Sequence, residues 1–271
     1  MGTEFSRELK DLTYLQWAHA RRSSGTAGTF LKAVDQAGEE KRYYKMSDYD
    51  SLKGVIGHEC INEILADRLL KILGVEHVAY HPVHAKVKVE EKVLETWVCY
   101  SVDFKRKGES KQALDDYFDL NRMEDESRMD FVIRNGWEEY VYQMLVVDFL
   151  IMNRDRHGAN MEVLKSAEGV RLAPLFDHGL SLLFSCHDDD SVRRFDAMAD
   201  LKVQSFVGGQ SLFENLALIP KERLPRFRRL EESDRGVIFA GLEGVLPEAH
   251  IEKAWEILWK RWNYYENLRN S

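Results

Sequence analysis

The sequence predicts an α+β chain of two lobes, β-rich over residues 1–104 and mostly helical over 105–271. Three observations carry this prediction. Short β-branched and aromatic runs crowd the first third, helical periodicity dominates the rest, and Lys105 to Ser110 is a polar, charged stretch suited to a boundary. At 271 residues the chain suits one large domain or two lobes sharing a cleft.

The elements follow in order. Arg21-Arg22-Ser23-Ser24-Gly25-Thr26-Ala27-Gly28 is a loop of small residues. Thr29 to Val34, a turn at Gln36 to Glu39, and Arg42-Tyr43-Tyr44-Lys45 read as a hairpin. From about Gly57, Ile61, Ile64, Leu65, Leu69, Ile72 and Leu73 recur at helical spacing, and Gly74 stands where a C-cap glycine belongs, so an amphipathic helix is expected. Val78 to Val83, Ala85 to Val89 and Val93 to Val102 read as strands. Trp137 to Met152, Leu212 to Ala217 and Ile251 to Leu268 read as helices. Trp255, Trp259 and Trp262 mark the core face of the last one, and Asp188-Asp189-Asp190 reads as a solvated loop.

Composition narrows the function. With 44% hydrophobic and 31% charged residues, 5 Pro and 17 Gly, the chain is neither disordered nor collagen-like. A formal net charge of -8 speaks against a broad, sequence-independent grip on nucleic acid. Cys60, Cys99 and Cys186 are odd in number and lack metal-ligand spacing, so reduced thiols of a cytoplasmic protein are expected, without zinc or disulfides. The longest nearly apolar run, Met144 to Met152, is interrupted by Asp148 and is about half of what a membrane span needs. The first residues lack the basic and apolar regions of a secretory signal, which fits the same cytosolic expectation.

The chemistry concentrates after the helix ending near Met152. Asn153-Arg154-Asp155-Arg156-His157-Gly158-Ala159-Asn160 precedes Met161 to Leu164, a polar turn at Lys165 to Gly169, Val170 to Phe176, and Asp177-His178-Gly179. A hairpin centred between Glu168 and Gly169 would bring Asn160 and Asp177 face to face at its open end. An amide oxygen beside a carboxylate suits magnesium, which often takes only one or two protein ligands. Phosphoryl transfer also needs a carboxylate for the acceptor hydroxyl, and Asp155 stands five residues before Asn160, as in the kinase template. The plainer reading makes these residues turn caps and a polar turn. His157 reads as a hydrogen-bonding support, since the transfer leaves it no reacting proton.

Asn153 to Asn160 and Ala173-Pro174-Leu175-Phe176-Asp177 resemble the HipA-like serine/threonine kinases, from about Ser23 to Phe184. The Asp-Arg-His-x-x-Asn pattern is shared with phosphatidylinositol kinases. The resemblance implies a two-lobed protein-kinase-like fold using ATP and Mg2+, with Asp155 as catalytic base and Asn160 and Asp177 as metal ligands. Lys45 resembles the ATP-binding lysine. Glu59 and Glu63, on one helical face, are both candidates for its partner, and alignment with the family helix favours Glu63. Ser24, Gly25, Thr26, Ala27 and Gly28 resemble the phosphate-covering loop, where HipA-like kinases carry a serine that they phosphorylate themselves; Ser24 matches it, with Ser23 its neighbour. Trp97 to Val102 would be the strand joining the lobes beside the adenine.

The implied activity is transfer to a Ser or Thr hydroxyl of a protein by a toxin-type kinase. About 20 residues precede the loop, too few for the extra N-terminal subdomain of full-length relatives, which implies a separate small partner or an antitoxin. Two rivals stand beside this reading: a small-molecule phosphotransferase of the aminoglycoside or lipid type, and a catalytically silent binding module. Residues 185–271 resemble nothing that decides among them.

Overall fold

Alternating burial builds the first sheet. A computed structural model of the protein describes residues 5–19, 30–38 and 40–271. β1 (Lys10–Leu12) and β2 (Ala18–His19) are edge strands, while β3 (Leu31–Asp35) and β4 (Arg42–Met46) form the expected hairpin, Lys32 opposite Lys45. A small ribbon, β5 (Tyr49–Asp50) and β6 (Gly54–Val55), precedes α1 (Glu59–Leu73). β7 (His81–Val89) and β8 (Lys92–Val102) complete a six-stranded sheet ordered β1-β7-β8-β4-β3-β2. The period of two puts Tyr44 and Met46 on one face, in a small core with Leu12, Leu31, Val87 and Val98, and Lys45 on the other.

Two expectations change here. Val78 to Val83 and Ala85 to Val89 are not separate strands: β7 runs unbroken from His81 because β8 pairs with every one of its residues. Val78 instead donates its N–H to Leu175 O at 2.8 Å, tying this segment to the second lobe. α1 ends as expected at Gly74, φ 75°, whose N–H reaches Leu70 and Lys71 carbonyls, but it is not amphipathic in the usual sense. Asn62, Glu63, Asp67 and Arg68 are as buried as Ile64 and Leu65, and the apolar residues of α1 share one core with the helices after residue 113.

The second lobe opens with β9 (Ser110–Ala113), α2 (Leu114–Asn121) and α3 (Arg128–Arg134). α4 (Glu138–Ile151) is buried on every side from Met144 onward and runs through the large core, with Trp137 and left-handed Met152 as its caps. β10 (Asp155–Arg156), β11 (Glu162–Ser166) and β12 (Gly169–Leu172) follow. α5 (Asp189–Arg194), β13 (Gln204–Ser205), α6 (Leu212–Leu216), α7 (Asp234–Ile238) and α8 (Glu248–Asn270) complete the described chain. β11 lies between β12 and β9, and β10 runs parallel to β13.

The β11–β12 register pairs Val163 with Leu172 and Ser166 with Gly169, so the hairpin is centred between Ala167 and Glu168, one residue earlier than expected. The polar stretch is wide enough for either centre, and Gly169, with φ 139°, follows a two-residue turn. Asn160 and Asp177 are therefore not ladder partners. Asp188 to Asp190 start a helix rather than a loop: Asp188 Oδ1 accepts from Ser191 N at 2.8 Å, and the next two carboxylates sit in the first turn, where free N–H groups favour them. On α8, Trp262 is in the core, whereas Trp255 and Trp259 stack 5.3 Å apart at its border, partly exposed. The three cysteines are free and buried. Among the described residues no helix is long and apolar enough to cross a membrane.

Candidate active site

Strand alternation aims Lys45 at α1, and Glu63 meets it one helical turn after Glu59. Lys45 Nζ donates to Glu63 Oε1 at 2.5 Å and to Asp177 Oδ1 at 2.7 Å, and reaches the Tyr80 hydroxyl at 3.2 Å. Glu59 is engaged elsewhere, its Oε2 accepting from Asp48 N at 2.9 Å. Glu63 Oε2 also accepts from His178 N at 2.8 Å, so the helix holds the backbone beside Asp177 as well as the lysine. Asn62 adds to this hold by donating Nδ2 to Gly179 O at 3.0 Å and Ser181 O at 2.9 Å.

These charges compensate one another. Burial alone would pull Lys45 down, but Asp177 and Glu63 override it and hold the ammonium well above its ordinary value. Burial would raise Glu63 and Asp177; Lys45 together with His178 outweighs it at Glu63, and Lys45 with Lys32, 3.7 Å from Asp177 Oδ2, and Arg156 outweighs it at Asp177, so both carboxyls titrate below their usual range. Asp177 lies in the left-handed region at φ 59°, which an Asp tolerates better than most side chains.

Asp155 and Asn160 lie on the turn that follows α4. Backbone pairing to β13 fixes the turn from outside, Gln204 N reaching Arg154 O at 2.9 Å and Phe206 N reaching Arg156 O at 2.7 Å. Asn160 Nδ2 donates to Asp155 O at 2.8 Å and to Asp155 Oδ2 at 3.1 Å, which leaves its amide oxygen for another partner. His157 Nδ1 accepts from Ala159 N at 3.1 Å, so the proton sits on Nε2, 3.4 Å from Asp155 Oδ1. Burial, seconded by the charge of Asp177, raises the Asp155 carboxyl above its ordinary value; His157 and Asn160 restrain the rise. Inside the turn, Arg156 pairs with Asp148, whose Oδ1 also accepts from Asn153 Nδ2 at 2.8 Å.

Lys45, Glu63 and Asp177 are thus in direct contact, and Asp155 and Asn160 form a second contacting pair whose carboxylate feels Asp177. Ser24, Gly25, Thr26, Ala27 and Gly28 lie outside the described residues, as does Ser23. Tyr80, Asn62, Arg156 and Asp148 were not singled out from sequence as parts of the site. Only Asp148 left a signal, as the one charge in the otherwise apolar run Met144 to Met152. Among the described residues no three His, Cys, Asp or Glu side chains are grouped to hold a metal. The hard oxygens of Asn160 and Asp177 nevertheless suit magnesium, which draws most of its ligands from water and phosphate.

No family model matches the chain, and no curated protein matches it. Solved structures do. The Helicobacter pylori proinflammatory kinase CtkA superposes with a TM-score of 0.66 at 16% identity, covering 97% of this chain and 98% of that one. HipA of the Shewanella oneidensis MR-1 toxin–antitoxin system, solved with HipB and operator DNA, gives 0.51 at 16% identity over 94% of this chain and 68% of that one. Both likenesses run through the β-rich sheet and the helices alike, and the chain therefore has the two-lobed fold of the HipA-like kinases.

Proposed function

We propose that the protein is a Ser/Thr protein kinase of the HipA type, transferring the γ-phosphoryl group of ATP to a hydroxyl of a protein in the cytosol. The observation that carries this is the single Lys45 ammonium held between Glu63 at 2.5 Å and Asp177 at 2.7 Å. In the kinase template a strand lysine paired to a helix glutamate serves the nucleotide phosphates. Residues 1–104 would supply that half of the site, with residues 24–28 over the phosphates, and 105–271 the catalytic half.

Asp155 accepts the hydrogen bond of the substrate hydroxyl, orients its oxygen for attack and takes its proton on a carboxylate oxygen. His157 and Asn160 keep that carboxylate turned and ionised. Asn160 and Asp177 would hold magnesium, which when bound with ATP neutralises charge on the phosphates. Lys45, kept protonated by its two carboxylates, binds phosphate oxygens. The protein acceptor rests on the likeness to a proinflammatory kinase and a toxin; that toxin's complex with HipB supports an antitoxin partner here as well.

The test is incubation of the protein with labelled ATP, magnesium and a cell lysate, beside an Asp155→Ala variant. A labelled protein band formed by the wild type alone is expected. Label confined to a small molecule would replace the protein acceptor, and no transfer by a folded wild type would leave a silent binding module.

A further inference from the structure

We infer that Arg156 is a positioning residue that sets the separation between Asn160 and Asp177; this rests on the proposed phosphoryl transfer. Its side chain is 1% exposed and every edge is used. Nε and Nη2 grip the Asp148 carboxylate at 3.0–3.2 Å. Nη1 donates to Phe176 O at 2.6 Å and to Asn160 O at 3.3 Å. Phe176 immediately precedes Asp177, so one nitrogen holds the backbone of both proposed metal ligands.

The guanidinium is planar and its N–H directions are fixed, so the three acceptors are held at a set geometry with no torsion left to adjust. Their anchor is equally stiff. Asp148 projects from the last turn of α4, where its neighbours Val147 and Phe149 are wholly buried. The β11–β12 ladder ends at Val163 and Leu172, leaving residues 160 and 177 beyond its register. The link through Arg156 supplies the alignment that the strands do not. Apolar side chains could fill this space without desolvating two charges, as buried ion pairs generally show, but they would offer nothing to the two carbonyls.

The test uses the full chain with ATP as the probe, measuring affinity by calorimetry in EDTA and in magnesium. Arg156→Lys keeps a charge for Asp148 but lacks the fork. Asp148→Asn with Arg156→Gln exchanges the ion pair for an amide pair, and carries the measurement where the lysine variant does not fold. With folding verified by circular dichroism, metal-free ATP affinity is expected to stay within about twofold of wild type. The magnesium-dependent gain in affinity should fall roughly 10–100-fold, the usual consequence of removing a residue that orients metal ligands. A folded variant that keeps the wild-type gain overturns the positioning role, and so does equal weakening with and without magnesium, which marks a merely structural residue. A wild type with no magnesium-dependent gain overturns the phosphoryl-transfer reading itself.

Discussion

A Cβ on Gly158 would lie 2.4 Å from Cγ of Asp115, so α2 closes directly over the turn that carries Asp155 and Asn160. No side chain fits between them unless one side gives way. Gly158→Ala should therefore cost about 1 kcal/mol, the low end for overpacking, because the Asp115 carboxylate can turn aside at the expense of its ion pair with Arg128. In an Asp115→Ala background, which removes the three colliding atoms, the cost should shrink by more than half. Urea unfolding of the four proteins checks this, and additive costs would show that the turn and α2 do not press on each other.

Asp155→Ala should leave ATP binding in magnesium unchanged and lower transfer by ~10²–10⁴-fold, the usual share of a positioned acid or base. Calorimetry and single-turnover transfer read the two quantities separately. Turnover within a few-fold of wild type would assign the proton to another group.

The raised Asp155 pKa has a sign that can be worked out. In its proposed role as base Asp155 acts when ionised, so transfer should be lost as pH falls through its folded pKa, which lies above the ordinary carboxyl value. His157 restrains that rise, so His157→Ala should move the acid limb of the rate profile to higher pH. A limb that stays put after the substitution would show that the Nε2 contact does not reach the carboxylate.

Lys45→Met should cost about 3–5 kcal/mol by leaving Glu63 and Asp177 buried without their cation. The pH dependence should also change. In the wild type both carboxyls titrate below their unfolded values, so their contribution is complete above those values and is lost only as pH falls through the folded ones. Without the lysine, burial wins and Glu63 should titrate above its unfolded value. Its protonation then stabilises the fold, so the variant should gain stability on going from pH 7 to 5 relative to wild type. Chemical denaturation across that interval measures the difference, and parallel curves would mean that Lys45 does not govern these carboxyls.

Sequence patterns revealed what is local. The β3–β4 hairpin follows from alternation at Leu31, Ala33, Tyr44 and Met46, and α4 from an apolar run of helical length. Asp155 and Asn160 were visible because six consecutive residues of one turn contain both. Tyr80 was not, because its contacts with Lys45 and Asp177 join positions 35 and 97 residues away. Periodicity also misled where polar residues serve the interior: Asn62, Glu63, Asp67 and Arg68 look like the wet side of a helix and are buried partners instead. The hairpin after Asn160 slipped by one residue because Lys165 to Gly169 offers turn chemistry at several positions.

α1 shares the large core with the helices while the sheet keeps a small core of its own, and Cys99 of β8 reaches into the large one. Arg68 Nη1 binds the Ile238 and Ala240 carbonyls at 2.8 Å, and Asn62 binds those of Gly179 and Ser181, so two turns of the helix are held to the second lobe. The helix is tied to the sheet side as well: Glu59 Oε2 accepts from Asp48 N at 2.9 Å, and Cys60 donates its N–H to Ser47 Oγ at 3.0 Å and its thiol to Trp97 O at 3.3 Å. Lys45, reaching from β4 to Glu63 on the helix and to Asp177 beyond it, is therefore one of several ties that any change in the spacing of strands and helices would have to stretch.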